Sequence, residues 1–419
     1  MSNRPRIRLR PGHDAGPGVV AATLFAVLFA AQASLVVLTP VVPDLAAEFG
    51  TSTASVGHLR VASALTGGLS AIALARLRRR LAVGDLLIGG LVLLACGSAA
   101  SAAAPSLVVL AAAQAVVGVG LAILLAAAVT AAAEWVPVHR RTQTLAWALA
   151  GPPAAWIVGM PLIALAATGS WRMAWVAVPL LSSLLGLAAV FVLRRRAPVA
   201  EARRTAARGR EHGVVTWAAG ETLLFAGWGG TLVYAGALLR ESYASSLLET
   251  GLALGAGAVA YLPGTFLARR WGDTSVRRLA IASSLATAVL AATFGIVRPA
   301  PAFSVAVFAA LAFVAAARTF AGGVYALQSS AQHRAAVTGA RAAAMQFGYL
   351  IGAALGAVAL SAGGYEALGA TFSVLFACSL LPQLRTRRAE RGSTARASTV
   401  QLLIPTPPKP RPAPAGDHG

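Results

Sequence analysis

The sequence predicts an all-α polytopic membrane protein whose twelve transmembrane helices form two six-helix bundles, and three observations carry that prediction. Only 12% of the 419 residues are charged and 57% are hydrophobic, with mean hydropathy +0.72; soluble domains carry about 25% charge. Twelve apolar stretches are each long enough to cross a bilayer core about 30 Å thick, which takes roughly 20 helical residues. The connections between them alternate between arginine-rich and arginine-poor, as the two sides of a membrane require. A soluble globule is thereby excluded, and the long Ala, Val and Leu runs exclude a disordered chain.

In order, residues 1–18 form a basic leader, and the first span runs from Val19 to Val42. Its Ala31-Gln32-Ala33 imitates a signal-peptide cleavage site, but the apolar run is longer than a signal h-region and is expected to stay as a helix. Val56 to Ala75, Asp85 to Ala104, Ser106 to Ala133, Leu145 to Ala167 and Ala174 to Leu193 complete an N-terminal bundle over 19–193. A basic linker, 194–213, leads to a second bundle over 214–384. Its spans are Val214 to Leu239, Leu247 to Ala268, Leu279 to Val297, Ala302 to Gln328, Ala335 to Ser361 and Ala367 to Leu384. The tail, 385–419, is rich in Arg, Ser, Thr and Pro and is expected to be disordered.

The net charge of +21 would suggest a nucleic-acid partner in a soluble protein, but its distribution argues otherwise. Thirty of the 35 basic residues, Arg341 among them, fall on one side of the predicted topology, and Arg172, Arg240 and Arg298 on the other. The positive-inside rule then puts both termini in the cytoplasm of a multi-pass cell-membrane protein. Its inner arginines are suited to anionic lipid headgroups, and no nucleic acid is expected. A single lysine, Lys409, against 34 arginines hints at a bacterial, GC-rich origin. Cys96 and Cys378 lie in apolar runs and suggest neither disulfide nor metal site. With no phosphate loop, clustered metal ligands or Ser-His-Asp signature, neither an enzyme nor a cofactor is expected.

Ionisable residues inside a bilayer are costly and therefore functional candidates. Glu221 lies about 10 Å into the seventh span and Arg318 about 15 Å from the same side in the tenth. Desolvation favours neutral Glu, whereas a nearby guanidinium favours the carboxylate, so a small movement between them loads or releases a proton. A static pair joining two helices, or no contact at all, are the alternatives.

The two halves repeat at an offset of 194 residues: His139-Arg140 recurs as His333-Arg334, and Trp171 falls opposite Tyr365. Repeats of like orientation imply a pseudo-twofold axis along the membrane normal, with a substrate path between the halves. Three local stretches stand out: T-P-V-V-P-D-L-A-A-E-F-G from Thr39 to Gly50, Glu134 and Pro137 followed by Arg140 and Arg141, and the stretch from Gly159-Met160-Pro161-Leu162 to Trp171-Arg172. On these, from Val19 to Leu384, the chain resembles the major facilitator superfamily, and most closely its drug and metabolite:proton antiporters. The chain also departs from that family. Ala71 to Arg80 reads A-I-A-L-A-R-L-R-R-R where the family has G-x-x-x-D-R-x-G-R-R. Gln114 stands four residues before Gly118 where an Arg is common, and the fifth helix lacks the antiporters' double glycine.

The resemblance implies a cavity lined by helices one, four, seven and ten, with Glu221 and Arg318 on two of them as candidates for proton coupling. Gln32, Gln114, Trp228, Tyr234, Tyr325 and Gln328 would be its polar and aromatic contacts, with Gln346 and Tyr349 on helix eleven. Such a pocket suits a bulky, largely apolar or cationic molecule. Asp44, Glu48 and Arg60 are expected at the outer interface, as anchors or with Asp44 and Arg60 as a gate contact. Glu134 is expected beside Arg140 and Arg141 as an interfacial pair or an inner latch, and Arg76, Arg79 and Arg80 as a basic anchor or gate contact. The expected function is a monomeric exporter exchanging a small organic molecule for protons by alternating access. Proton-coupled uptake and a transport-dead membrane sensor are the alternatives.

Overall fold

The computed structural model describes residues 16–77, 81–194, 212–328 and 334–381. The leader up to residue 15, most of the linker and nearly all of the segment after the last helix lie outside them, as do Arg79 and Arg80. Every regular element among the described residues is helical. That follows from the solvent: a segment crossing hydrocarbon must satisfy its backbone groups within itself.

Among the described residues ten helices are long and apolar enough to cross a membrane. In the first half these are α1 (Pro17–Glu48), α3 (Val83–Ala102), α4 (Leu107–Glu134), α5 (Val138–Ala167) and α6 (Met173–Leu193). A 19-residue helix, α2 (Leu59–Leu77), lies between α1 and α3 and is less apolar because it carries Arg60 with Ser63, Thr66, Gly67 and Gly68. The second half holds α7 (Val214–Tyr243), α8 (Leu247–Arg270), α9 (Val276–Ile296) and α10 (Pro301–Val324). The last apolar helix, Gly339–Cys378, has 40 residues, about 60 Å or twice the bilayer core. It breaks at Gly363 and Gly364, the latter at φ +63°, where a side chain would be strained. It therefore makes two crossings, α11 (334–362) and α12 (365–378), for twelve among the described residues.

Prolines set several local shapes. Pro40 has no N–H to offer the Val36 carbonyl, so α1 turns at Val37 and resumes at Leu38, running past the predicted end at Val42 to Glu48. In α5 a π-helical turn, Ala155–Gly159, sits between Pro153 and Pro161, and α6 has another at Val176–Leu180 around Pro179.

Within the first half α4 packs on α2 and α3, and α1 on α6; within the second, α7 packs on α11 and α9 on α10. Gly348, Gly352 and Gly356 face α7 and let the two backbones approach. The halves meet where α1 contacts α7, α2 contacts α11 and α5 contacts α8. One buried apolar cluster, from Val36 and Leu45 through Met160 and Trp175 to Leu238 and Phe308, spans both halves. Leu185, Val215, Phe266 and Val289 are exposed on the outer surface, as expected where lipid is the solvent.

Candidate functional site

Inside the second half three arginine and glutamate side chains form a cluster. Glu221 on α7 and Arg318 on α10 are both fully buried, and Arg318 Nη1 donates to Glu221 Oε1 at 2.8 Å. Arg341 on α11, a quarter exposed, donates from Nε to Glu221 Oε2 at 3.1 Å and from Nη2 to the Thr319 carbonyl at 2.7 Å. Arg318 Nε donates to Ser284 Oγ on α9 at 2.9 Å, and Ser284 in turn accepts from Ser379. Each carboxylate oxygen thus has a guanidinium, while Arg318 Nη2 has no partner among the described residues. Gly322, one turn beyond Arg318, makes room for this arrangement, because a Cβ there would overlap the Glu221 carboxylate. Chemically, the cluster ties α7, α9, α10 and α11 together through one ionisable group.

Between the halves, polar contacts gather at the face remote from the described chain ends. Arg240 on α7 grips Asp44 on α1 with both terminal nitrogens, Nη2 to Oδ1 at 3.0 Å, and reaches the Pro40 carbonyl at 3.3 Å. Thr39 Oγ1 donates to the Leu232 carbonyl at 2.9 Å, and Thr53 donates to Glu241. Just inside these contacts lies a cavity of about 20 Å³, room for about one water. Residues from both halves line it, among them Gln32, Thr39, Arg60, Trp156, Leu232 and Tyr349.

The family model of the Major Facilitator Superfamily matches the chain twice, over residues 24–220 and 217–414. The chain belongs to the Major Facilitator Superfamily. No curated protein matches it significantly. Among solved structures it is similar to the D-xylose-proton symporter, at TM-score 0.70 and 17% identity over 87% of this chain and 96% of that one. It is also similar to a bacterial homologue of the human lysosomal transporter Spinster, inward-facing and unoccupied, at TM-score 0.65 and 16% identity over 89% and 94%. At those identities the likeness shows the fold alone. The protein is thus a multi-pass membrane transporter of this superfamily.

For this superfamily member the sequence-based site residues fall in several places. Gln32 and Tyr349 line the cavity. Gln114 does not: it is buried between α3 and α4, where Nε2 donates to Ser101 Oγ at 3.0 Å and Oε1 is unpaired. Trp228 stacks on Phe308 with centroids 6.4 Å apart, and Tyr234 donates to the Ala353 carbonyl at 2.9 Å; neither lines the cavity. Gln346 is buried against Gly67 at the boundary between the halves, with both amide atoms unpartnered. The side chains of Tyr325, Gln328 and Arg76 lie outside the described residues.

The expected gate contacts are rearranged. Asp44 meets Arg240 instead of Arg60, because α7 approaches α1 closely enough for Gly236 to touch the Thr39 backbone. Glu48 is exposed and pairs with Arg172 at 3.6 Å. Glu134 has no arginine partner among the described residues; Arg140 bonds Gln143 at 3.3 Å and Arg141 the Val136 carbonyl at 3.1 Å.

Three residues escaped the sequence reading. Arg341 was counted with the inner charges, although it stands seven residues before Gly348, on the face that α11 turns to α7. That spacing was its one available signal. Arg240 falls among the arginines of the outer side by sequence and Trp156 carries no signal there, and only the packing of α7 and the π turn of α5 bring them to the site.

Proposed function

We propose that the protein is a secondary active transporter that exports a small organic molecule in exchange for protons by alternating access, with Glu221 as the proton-carrying group. The observation that carries this reading is the burial of Glu221 between Arg318 and Arg341. With Glu221 ionised, the two guanidiniums hold α7, α10 and α11 in one arrangement. A proton on the carboxylate cancels its charge and weakens both bonds at once. Arg341, the more exposed of the two, is then the first to turn away, and α11 is freed to shift against α7. The contacts at the remote face, which positive-inside counting makes the outer face, close the path on that side. The proton passes to the cytoplasm as substrate enters from that side, so that Glu221 re-forms both ion pairs; rupture of Asp44–Arg240 then opens the outer exit, where substrate leaves and Glu221 takes up the next proton. The general likeness to drug and metabolite:proton antiporters supports export as the direction.

The test uses purified protein in proteoliposomes with an internal pH dye and an imposed proton gradient, while antibiotics, dyes and organic acids are added in turn. A compound that dissipates the gradient names the substrate and shows coupling. Glu221→Gln should then abolish gradient-driven transport of that compound while downhill exchange continues. Gradient-driven transport surviving in Glu221→Gln would overturn the assignment.

A further inference from the structure

Arg60 is a cation buried at the boundary of the two halves without a counter-charge. Its residue is 5% exposed. Among the described residues its guanidinium makes one hydrogen bond, 3.5 Å long, to Ser63 on its own helix, and no carboxylate pairs with it. Asp44, the expected partner, is held by Arg240. Glu221, the buried carboxylate, is held by two other arginines. A guanidinium offers five N–H donors in one plane, so most of this one's capacity is free. Its Cζ lies over the Tyr349 ring, 4.7 Å from the centroid, a cation–π contact that supplies no counter-charge. Arg60 also lines the cavity between the halves.

An unpaired cation is costly to keep at this depth unless something pairs with it during the working cycle. A cationic substrate would meet a like charge, and a neutral one would leave the guanidinium unsatisfied. A carboxylate matches the planar fork with two parallel bonds. Around that point the wall is mostly apolar and aromatic, with Trp156, Leu35, Leu38, Leu232 and Val233, and Gln32 and Thr39 are its neutral polar members.

We propose that Arg60 anchors the substrate and that the transported molecule is a small organic anion, its carboxylate gripped by the guanidinium and its apolar body set against Trp156 and Leu232. The proposal rests on the transporter reading above and narrows its substrate class. A cavity of about 20 Å³ is too small for such a molecule, so binding requires the halves to part. Arg60 and Trp156 belong to the first half, Leu232 and Tyr349 to the second, so the bound anion bridges them.

The test is equilibrium binding to the full-length protein in nanodiscs, without a gradient, of three probes that share one aromatic body. These are 2-naphthylacetate, its neutral amide and 2-naphthylmethylamine, a cation. The acid should bind at least about tenfold more tightly than the amide, with the amine weakest. Arg60→Gln should erase the gap between acid and amide, and Arg60→Lys should retain part of it, because lysine keeps the charge without the fork. Equal binding of acid and amide, preference for the amine, no binding of the acid up to about 1 mM, or a gap that survives in Arg60→Gln would each overturn the proposal. If Arg60→Gln does not fold, the three-probe comparison on the wild type and Arg60→Lys still decides. Because binding is read without a gradient, loss of acid preference leaves proton-coupled transport standing. Loss of coupling with acid preference intact leaves the anion site standing.

Discussion

Asp44 and Arg240 face each other across the boundary between the two halves, and the guanidinium uses both terminal nitrogens on the carboxylate. Glu221 is held differently, inside one half, by one nitrogen from each of two arginines, Arg318 Nη1 and Arg341 Nε. The two clusters differ in exposure: Asp44 and Arg240 side chains are 32% and 18% exposed, Glu221 and Arg318 fully buried. On the proposed mechanism the first breaks and reforms as the halves rock, and the second holds a bundle until its charge changes.

Breaking the first should therefore cost little stability and change the conformational balance. Asp44→Asn is expected to destabilise by about 1 kcal/mol, since a partly solvated pair contributes modestly. It should also raise the labelling rate of a cysteine placed at Thr39, where the halves touch. The charge exchange Asp44→Arg with Arg240→Asp should restore slow labelling. Unchanged labelling in Asp44→Asn would show that the pair does not hold the remote face closed.

The second cluster should behave in the opposite way. Glu221→Ala strands a fully buried guanidinium, and removal of one partner from a buried pair costs about 3–5 kcal/mol. Arg341→Ala leaves Glu221 still bonded to Arg318 and removes a side chain that is a quarter exposed, so its cost is expected to be clearly smaller. Thermal unfolding in detergent with a helical-content readout gives the order. An Arg341→Ala loss equal to that of Glu221→Ala would mean that the carboxylate depends on both partners equally.

Gln114 provides a contrast. It fills a buried gap between α3 and α4, with one bond to Ser101 and an unpaired oxygen. Ser101 has a second partner, the Gly97 carbonyl at 2.7 Å. Gln114→Met keeps the volume and removes the unpaired acceptor, so stability should change by less than about 1.5 kcal/mol. Substrate affinity should stay at the wild-type value. A large affinity loss at full stability would return Gln114 to the substrate path.

What the sequence made legible and what it did not divide along physical lines. Twelve crossings could be read because bilayer thickness fixes helix length, and hydropathy reports it directly. Glu221 and Arg318 stood out because charge is rare at that depth. Partner choice did not emerge. Asp44 had four arginines near the same face, Arg60, Arg172, Arg240 and Arg298, and which one it meets depends on how closely α7 approaches α1 at Gly236. Likewise the cavity wall draws on α2, α5 and α11 as well as α1 and α7, because the proline-bounded π turn of α5 and the glycine face of α11 set which side chains reach it.

Gly322 joins packing to the charge cluster and gives the sharpest single-atom test. A methyl group added there meets both oxygens of Glu221, so either the carboxylate retreats from α10 or α10 moves away from α7. Overpacking of this kind costs about 1–3 kcal/mol. Retreat of the carboxylate would also lengthen its bond to Arg318, which cannot follow because Nε is held by Ser284. Gly322→Ala should therefore weaken gradient-driven transport by more than its stability loss explains, while Gly323→Ala next to it, with no atom closer than 4.0 Å to the added carbon, should leave both unchanged. Transport assays at equal amounts of folded protein measure the difference. Equal behaviour of the two variants would show that the close fit of Glu221 against α10 plays no part in coupling.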